Sequence, residues 1–187
     1  MQTKEMKRTI KRIEDKYVIS SLDFVEKVFT EYDCEKEGIL VRTLIEEIRS
    51  KKYYLPELEL IMIDEKDSLI GYAMFSRFHI EGKYENELLL LSPVAVKTEL
   101  QRQHISKELI EYGFEKAKKM GFKAVLVEGN PKNYNSRGFV TSRDYGILPG
   151  DTIHLPSIDC LMIKELSPGA LQNIHGTVDY SFYDALR

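Results

Sequence analysis

The sequence has few of the residues that mark specialised classes of protein. It contains no tryptophan and only two cysteines, Cys34 and Cys160, in 187 residues. The two cysteines lie far apart and match neither a zinc-binding spacing nor a disulfide framework, so we expect free thiols in a reducing compartment. No apolar run approaches the roughly 18 residues of a membrane-spanning helix. The N-terminus is too charged for a signal peptide, and a cytoplasmic protein with no membrane partner is predicted.

The sequence also lacks a large excess of charge of either sign. Its 27 basic and 30 acidic residues give a net charge of −3, so no basic face for nucleic acid is indicated. His79, His154 and His175 are scattered without metal-ligand spacing, and we expect no metal cofactor. The length and the 43% hydrophobic content are typical of one globular domain that builds its core without disulfides or metal.

The first half of the chain predicts a strand, two helices and a hairpin. The opening strand alternates basic and apolar side chains, which suits a sheet edge because lysines discourage further pairing. Apolar residues recur at helical spacing in both helices, and Ser20 and Ser21 are candidate caps of the first. A polar connection at residues 81–87 follows the hairpin. In chain order, these elements are predicted at residues 7–13, 17–32, 38–50, 58–64 and 68–80.

Residues 88–139 form the unit around which the chain is organised. Pro93 interrupts its first strand, and because proline donates no ladder hydrogen bond we expect a bulge or a splayed strand near residues 92–94. A helix then runs to Gly121. The apolar run at residues 124–127 predicts a strand buried on both faces and parallel to the first. The helix residues predicted to face the core are Ile105, Leu109, Ile110, Tyr112, Phe114, Ala117 and Met120.

The last quarter of the chain is irregular until a final strand at residues 158–163. A short helical turn is predicted at residues 167–171. We assign residues 1–166 to one domain and residues 167–187 to a tail that packs on it. The fold class is therefore mixed α/β (α+β), with a partly antiparallel central sheet of six or seven strands and helices on both faces.

The loop that leads into the central helix is a candidate anion site. A loop that runs directly into a helix presents unpaired backbone N–H groups and the positive end of the helix dipole, which suits a pyrophosphate. A splayed strand beside it leaves the backbone groups of Val94 and Val96 free to pair with an amide-bearing ligand. The loop residues are Gln101, Arg102, Gln103, His104, Ile105 and Ser106.

The order of elements and the motifs of this unit resemble the GNAT superfamily of acyl-CoA-dependent N-acyltransferases. LSPVAVKTELQRQHISKELI is similar to V-x-P-x-x-Q-x-x-G-I-G-x-x-L-[IL], and GNPKNYNSRGF to the G-D-P-x-Y-Y-x-R-F-G-F of a compact bacterial subgroup. The resemblance implies an N-acetyltransferase that uses acetyl-CoA and acts on a small-molecule or peptide amine. It places pantetheine along Val94 and Val96, the pyrophosphate at residues 101–106, and Tyr134 beside the cofactor.

The sequence departs from this pattern at the glycines. His104-Ile105-Ser106 stands where the family has Gly-x-Gly, while Gln101 is retained. Glycine there permits close backbone approach, whereas His104 would either donate to the phosphates when protonated or obstruct them. Two alternatives therefore stay open: a working enzyme, and a non-catalytic acyl-CoA-binding or partner-binding module with a degenerate loop.

The resemblance also implies the catalytic groups. Tyr134 would protonate the departing CoA thiolate, since a phenol with a pKa near ~10 stays protonated at neutral pH; the alternative is that its ring only packs. Attack by an amine also calls for a base. Glu128, at the end of the strand that enters the site, is the first candidate, and the alternative is that it is only a charge at a strand end. Glu87, at the start of the strand that Pro93 interrupts, is the second. Leu90 stands where some members of the family carry the base glutamate. The sequence identifies neither the acceptor nor the oligomeric state, for which a homodimer is one alternative.

Overall fold

The computed structural model describes residues 6–186. Residues 1–5 and Arg187 lie outside it. Part of the charged N-terminus, the start of the predicted domain and the end of the predicted tail therefore lie outside the described residues. The helices are α1 (Val18–Tyr32), α2 (Glu35–Ser50), α3 (Ile105–Lys119) and α4 (Pro131–Tyr134). The strands are β1 (Arg8–Arg12), β2 (Glu59–Asp64), β3 (Leu69–Ile80), β4 (Lys83–Val96), β5 (Ala124–Glu128), β6 (Val140–Thr141), β7 (Ile147–Pro149), β8 (Leu161–Glu165) and β9 (Gly176–Val178).

Seven of these strands form one central sheet in the order β1-β2-β3-β4-β5-β8-β6. Every neighbouring pair is antiparallel except β4 and β5, which are parallel because α3 crosses between them. Strands β7 and β9 form a separate parallel pair. The predicted mixed, partly antiparallel sheet is confirmed.

Helices cover both faces of the sheet, as predicted. Helices α1 and α2 bury Val25, Ile45 and Ile48 against one face. The same core contains buried residues of the C-terminal segment, including Tyr180 and Tyr183. Helix α3 covers the other face. The sheet therefore separates two cores, one on the α1/α2 face and one on the α3 face.

The predicted inward face of α3 is wrong at two positions. Tyr112 is 42% exposed and Met120 is 41% exposed, whereas the other five residues are buried. The helix lies closest to the sheet at Gly113, where an added Cβ atom would overlap the ring of Phe75. Gly113, which the sequence did not indicate as part of the inward face, is therefore the point of closest contact between α3 and the sheet.

The connection predicted at residues 81–87 is also wrong, because β4 begins at Lys83. Ile80 pairs with Lys83 across a two-residue turn at Glu81 and Gly82, whose φ values are 52° and 74°. Positive φ at both central residues is the type I′ geometry that fits the twist of a hairpin. Strands β3 and β4 are therefore one long hairpin.

Other boundaries also differ from the predictions. Helix α2 begins three residues before Gly38, and the last strand of the central sheet begins at Leu161, after a short 3₁₀ turn. Ser20 and Ser21 do not cap α1; their hydroxyls donate to the carbonyls of Tyr17 and Val18. The short strands β6, β7 and β9 were not predicted. Within residues 6–186, the helices are all too short or too polar to cross a membrane.

The bulge predicted at Pro93 is present in β4. Ala73 pairs with Val94 and Phe75 with Leu91, so β4 carries one more residue than β3 between these pairs. The bulge reverses the alternation of side chains. Leu89 and Leu91 contact the α3 face before it, and Val94 and Val96 do so after it.

Candidate active site

Strands β4 and β5 separate after three residue pairs. Their pairing runs from Leu88 with Ala124 to Leu90 with Leu126 and then stops. Strand β4 continues along β3 to Val96, while the end of β5 stays paired with β8. The two strands therefore leave a wedge-shaped gap between their C-terminal ends, called the β4–β5 gap below.

The backbone of β4 has free hydrogen-bonding groups along this gap. The N–H of Lys97 donates to the carbonyl of Ile70 (3.0 Å). Hydrogen-bonded pairs alternate in an antiparallel ladder, so Ala95 makes the next such pair with β3. Val94 and Val96 consequently turn their N–H and C=O groups away from β3 and toward the gap. Their half-buried side chains pack on the α3 face.

The loop between β4 and α3 lies at the same end of the sheet. Gln101, Arg102, Gln103 and His104 are exposed, Ile105 is buried and Ser106 is half-buried. Arg102 and His104 have φ values of 63° and 64°. This is the left-handed region that glycine adopts most readily. The loop thus has a glycine-like backbone at His104 without a glycine.

The N-terminus of α3 has unpaired donors. His104 is its N-cap and makes no side-chain capping bond. The first N–H groups of a helix have no acceptor within the helix. These donors and the positive end of the helix dipole form a surface that can bind an anion.

Arg8 of β1 connects this loop to the first turn of α3. Its guanidinium donates to the carbonyl of Gln103 (3.1 Å) and pairs with the carboxylate of Glu108 in α3. Arg8 was not singled out from the sequence. A contact across 95 residues of chain leaves no local pattern that could have indicated it.

Tyr134 lies in α4, just beyond the end of β5. Its ring packs edge-on against Phe139, with 5.4 Å between ring centroids. It also lies so close to Gly129 that an added Cβ atom there would overlap it. Its hydroxyl makes no hydrogen bond to any residue from 6 to 186. Burial raises the pKa of Tyr134, and the charge of Arg137 opposes part of that rise.

Arg137 connects this segment to α3. Its Nη2 donates to Oγ of Ser106 (2.7 Å), and its Nη1 donates to the carbonyl of Asn133. The guanidinium carbon lies 5.7 Å from the centroid of the Tyr134 ring. Arg137 was missed from the sequence, although the subgroup pattern has an arginine one position earlier.

Glu128 ends β5 on the other face of the sheet. It continues the alternation of Ala124 and Leu126, which lie in the core under α1 and α2. Although the residue as a whole is exposed, partial burial of its carboxyl group raises its pKa, and an interaction with the hydroxyl of Tyr180 opposes the rise. Tyr180 was also missed, because nothing local ties a tail tyrosine to this strand.

Glu87, the second candidate base, immediately precedes the three β4 residues that pair with β5, whereas the gap follows them. Its carboxylate pairs with Lys123 (2.6 Å), and its carbonyl accepts from the N–H of Lys123 (2.8 Å). Within the described part of the chain, no three His, Cys, Asp or Glu side chains are grouped to hold a metal ion. On the α3 face, the backbone groups of β4, the N-terminus of α3, Tyr134 and Arg137 lie around the end of the sheet where the gap opens. Glu128 and Tyr180 interact with each other on the α1/α2 face.

Known proteins share this architecture. The crystal structure of YhbS from Escherichia coli in complex with CoA superposes with a TM-score of 0.82 at 18% identity, over 96% of this chain and 93% of that chain. A GNAT family acetyltransferase from Brucella melitensis, in complex with acetyl-CoA, gives a TM-score of 0.59 at 24% identity, over 71% and 82% of the two chains.

Sequence comparison gives the same relationship. The uncharacterized N-acetyltransferase YhbS of Escherichia coli K12 is 25% identical over 126 residues, covering 66% of this chain and 71% of that protein. The uncharacterized N-acetyltransferase YjhQ of the same strain is 30% identical over 109 residues, covering 58% of each. The family model for the Acetyltransferase (GNAT) family matches residues 25–145, which is more than half of the chain. The chain therefore belongs to the GNAT acetyltransferase family.

Proposed function

We propose that this protein transfers an acetyl, or another short acyl, group from acyl-CoA to an amine by direct attack in a ternary complex. The observation that carries the proposal is the β4–β5 gap. There the free backbone groups of Val94 and Val96 run toward the uncapped N-terminus of α3. A strand edge that ends at an anion-binding helix terminus fits a ligand with an amide chain at one end and a pyrophosphate at the other.

Binding in this arrangement supplies much of the catalysis. The amides of pantetheine pair with β4, and the pyrophosphate accepts hydrogen bonds from the first turn of α3. The backbone N–H of Val94 or its neighbour then polarises the thioester carbonyl and stabilises the negative oxygen that forms on attack. Holding the amine beside the thioester converts a bimolecular reaction into an effectively unimolecular one.

Two proton transfers complete the reaction. Glu128 removes a proton from the attacking ammonium or amine, directly or through water, as the N–C bond forms. The C–S bond then breaks, and Tyr134 donates its phenolic proton to the departing thiolate. The raised pKa of Tyr134 keeps it protonated until that step. The nearby Arg137 guanidinium stabilises the phenolate until solvent returns the proton.

The two catalytic side chains belong to opposite faces of the sheet. Tyr134 packs on the α3 face, and Glu128 lies on the α1/α2 face. This supports a route in which acyl-CoA binds from the α3 side and the amine enters from the α1/α2 side. Tyr180 would then be close to the acceptor, because it is buried beside Glu128.

A non-catalytic acyl-CoA-binding module is the second candidate, favoured by His104 at a glycine position. The glycine-like backbone of His104 supports retained binding instead. Calorimetry with acetyl-CoA, followed by a thiol-release assay over a panel of amines, separates the cases. We expect binding and thiol release with at least one amine class. Binding without turnover would favour the module, and no binding at millimolar acetyl-CoA would reject both.

A further inference from the structure

Arg137 has an unusual electrostatic position. Its guanidinium reaches the first turn of α3 through the hydrogen bond to Ser106 (2.7 Å). A cation is unfavourable at that end of a helix, because the dipole already places positive potential there. None of the ion pairs formed within residues 6–186 involves Arg137. The first turn of α3 has one carboxylate, that of Glu108, but it is paired with Arg8. Within residues 6–186, no carboxylate therefore pairs with the guanidinium that meets this positive helix end.

The hydrogen bonds of Arg137 are also incomplete. Its Nε is buried and has no hydrogen-bond partner in the part of the chain from residue 6 to residue 186. A buried charged donor without a partner costs free energy, so its retention calls for an explanation. The side chain is nevertheless well fixed, since Nη1 is held by the carbonyl of Asn133 and the guanidinium lies near the Tyr134 ring.

Arg137 and Ser106 both depart from the patterns that the sequence resembles. The loop pattern has glycine at position 106, and the subgroup pattern has phenylalanine at position 137. In this chain the two replacements contact each other. The side chain of Ser106 prevents the close approach of a phosphate to the backbone that glycine would permit. The guanidinium of Arg137 instead places several N–H donors in one plane at the same position.

We propose that Arg137 is a binding residue for the pyrophosphate of acyl-CoA, positioned by Ser106 at the N-terminus of α3. This inference rests on the proposed function. The phosphate oxygens would supply the missing counter-charge and accept hydrogen bonds from the guanidinium. The same contact couples the two ends of the ligand, because Arg137 also adjoins the Tyr134 ring near the thioester.

The test compares ligands that differ in their phosphates. Calorimetry is done with CoA, with dephospho-CoA, which keeps the pyrophosphate, and with pantetheine, which has no phosphate. In Arg137→Gln we expect CoA and dephospho-CoA to bind more weakly by the same factor, at about tenfold or more for a lost charge-assisted bond. Pantetheine should bind as it does to the parent. The matched control is Arg143→Gln, which removes an exposed arginine six positions later in the chain that is paired with Asp159 (3.1 Å) and should change none of the three.

Several results would overturn the inference. Equal weakening of pantetheine and CoA would show a structural role, and weakening of CoA but not of dephospho-CoA would assign Arg137 to the 3′-phosphate. Unchanged binding would also reject it. Should Arg137→Gln not fold, Ser106→Ala keeps the arginine, and a smaller loss confined to the two pyrophosphate ligands is expected. Failure of the parent protein to bind CoA would instead reject the proposed function.

Discussion

Arg49 and Arg137 lie on opposite faces of the sheet and are used in opposite ways. Arg49 of α2 donates from Nε and Nη2 to the carboxylate of Glu59, at 3.1 and 2.5 Å. It also donates to Oγ of Ser21 (2.9 Å) and to the carbonyl of Val18 (3.1 Å). Arg137 contacts no carboxylate of the described chain and keeps one donor unpaired.

The difference extends to the tyrosines beside them. Tyr72 donates to the fully buried Glu59 (2.7 Å), whereas the hydroxyl of Tyr134 has no partner within residues 6–186. Buried polar groups in a folded protein are normally satisfied. The complete set around Glu59 therefore indicates a structural role that fixes α1 and α2 to the sheet. Around Tyr134, one buried donor, Nε of Arg137, is unpaired within residues 6–186. Under the proposed function, acyl-CoA would supply the partners that are missing there.

The largest expected effect is on stability, from Arg49→Met. Removing one member of a buried pair leaves an uncompensated charge, which costs about 3–5 kcal/mol. The free energy of unfolding should fall by that amount in urea titrations. Arg42→Met is the matched control on the same helix. Its ion pairs with Asp23 and Glu26 lie near the surface, so its loss should be below about 1 kcal/mol. Equal losses would contradict the structural role of Glu59.

The next effect is on catalysis, from Tyr134→Phe. Loss of a general acid should lower kcat by ~10²-fold or more. The free energy of unfolding should not change, because the Tyr134 hydroxyl that is removed has no hydrogen-bond partner within residues 6–186. The Kd for CoA should also stay the same. Steady-state kinetics, urea titration and calorimetry measure the three quantities.

Tyr72→Phe is the matched control for that variant. It removes a buried donor from Glu59 and should lower the free energy of unfolding by about 1–3 kcal/mol. Its kcat should remain within a few fold of the parent. An unaltered kcat in Tyr134→Phe would reject the acid role and leave Tyr134 as a packing residue.

A smaller effect is expected in the pH dependence of kcat/KM. A general base acts only as the carboxylate, and the pKa of Glu128 lies above that of an ordinary glutamate because of partial burial. The loss of activity on acidification should therefore begin at a higher pH than an ordinary glutamate would give. Glu128→Gln should remove this acidic limb and lower the rate, and Glu87→Gln should leave the limb in place. A limb that persists in Glu128→Gln would assign the base elsewhere.

The smallest effect is expected from His104→Gly. The left-handed backbone at His104 is strained for a residue with a Cβ atom. Glycine relieves this strain but loses more chain entropy on folding, so we expect a gain of up to about 1 kcal/mol in the free energy of unfolding. Alanine cannot adopt positive φ as readily as glycine, so His104→Ala should not increase the free energy of unfolding. Because the parent backbone is already glycine-like, both variants should bind CoA with the same affinity. Weaker binding by both would show that the imidazole contacts the phosphates.

The central unit could be predicted from the sequence because its signals are local. Each of these signals determines the structure of only a few neighbouring residues. The signals are Pro93, the apolar run at residues 124–127 and the helical spacing after Ile105. The two-residue turn at Glu81 and Gly82 was missed because polar residues of β4, such as Glu85 and Asn86, resemble a loop. Strands β6, β7 and β9 were missed because two or three residues carry no periodicity.

The site was only partly accessible from the sequence. Gln101, Tyr134 and the loop residues Arg102, Gln103, His104, Ile105 and Ser106 came from motifs and from the loop before the helix. Val94 and Val96 came from the splayed strand expected at Pro93, and Glu128 from its place at a strand end. The roles of all these residues remain predictions. Arg8, Arg137 and Tyr180 act through contacts between distant parts of the chain. Tyr180 meets the end of β5 only after the tail has packed on the α1/α2 face. Such contacts depend on tertiary structure, and one sequence contains no local record of them.

The bulge in β4 shifts the register of the strand by one residue. One extra residue exchanges the odd and even positions, so that the side chains of Val94 and Val96 point to the α3 core and their backbone groups point into the gap. Deleting a single residue between Leu91 and Val94 would remove this shift. The backbone amides that face the gap would then no longer be those of Val94 and Val96. A length change of one residue here should therefore be more damaging than most substitutions of side chains in the same strand.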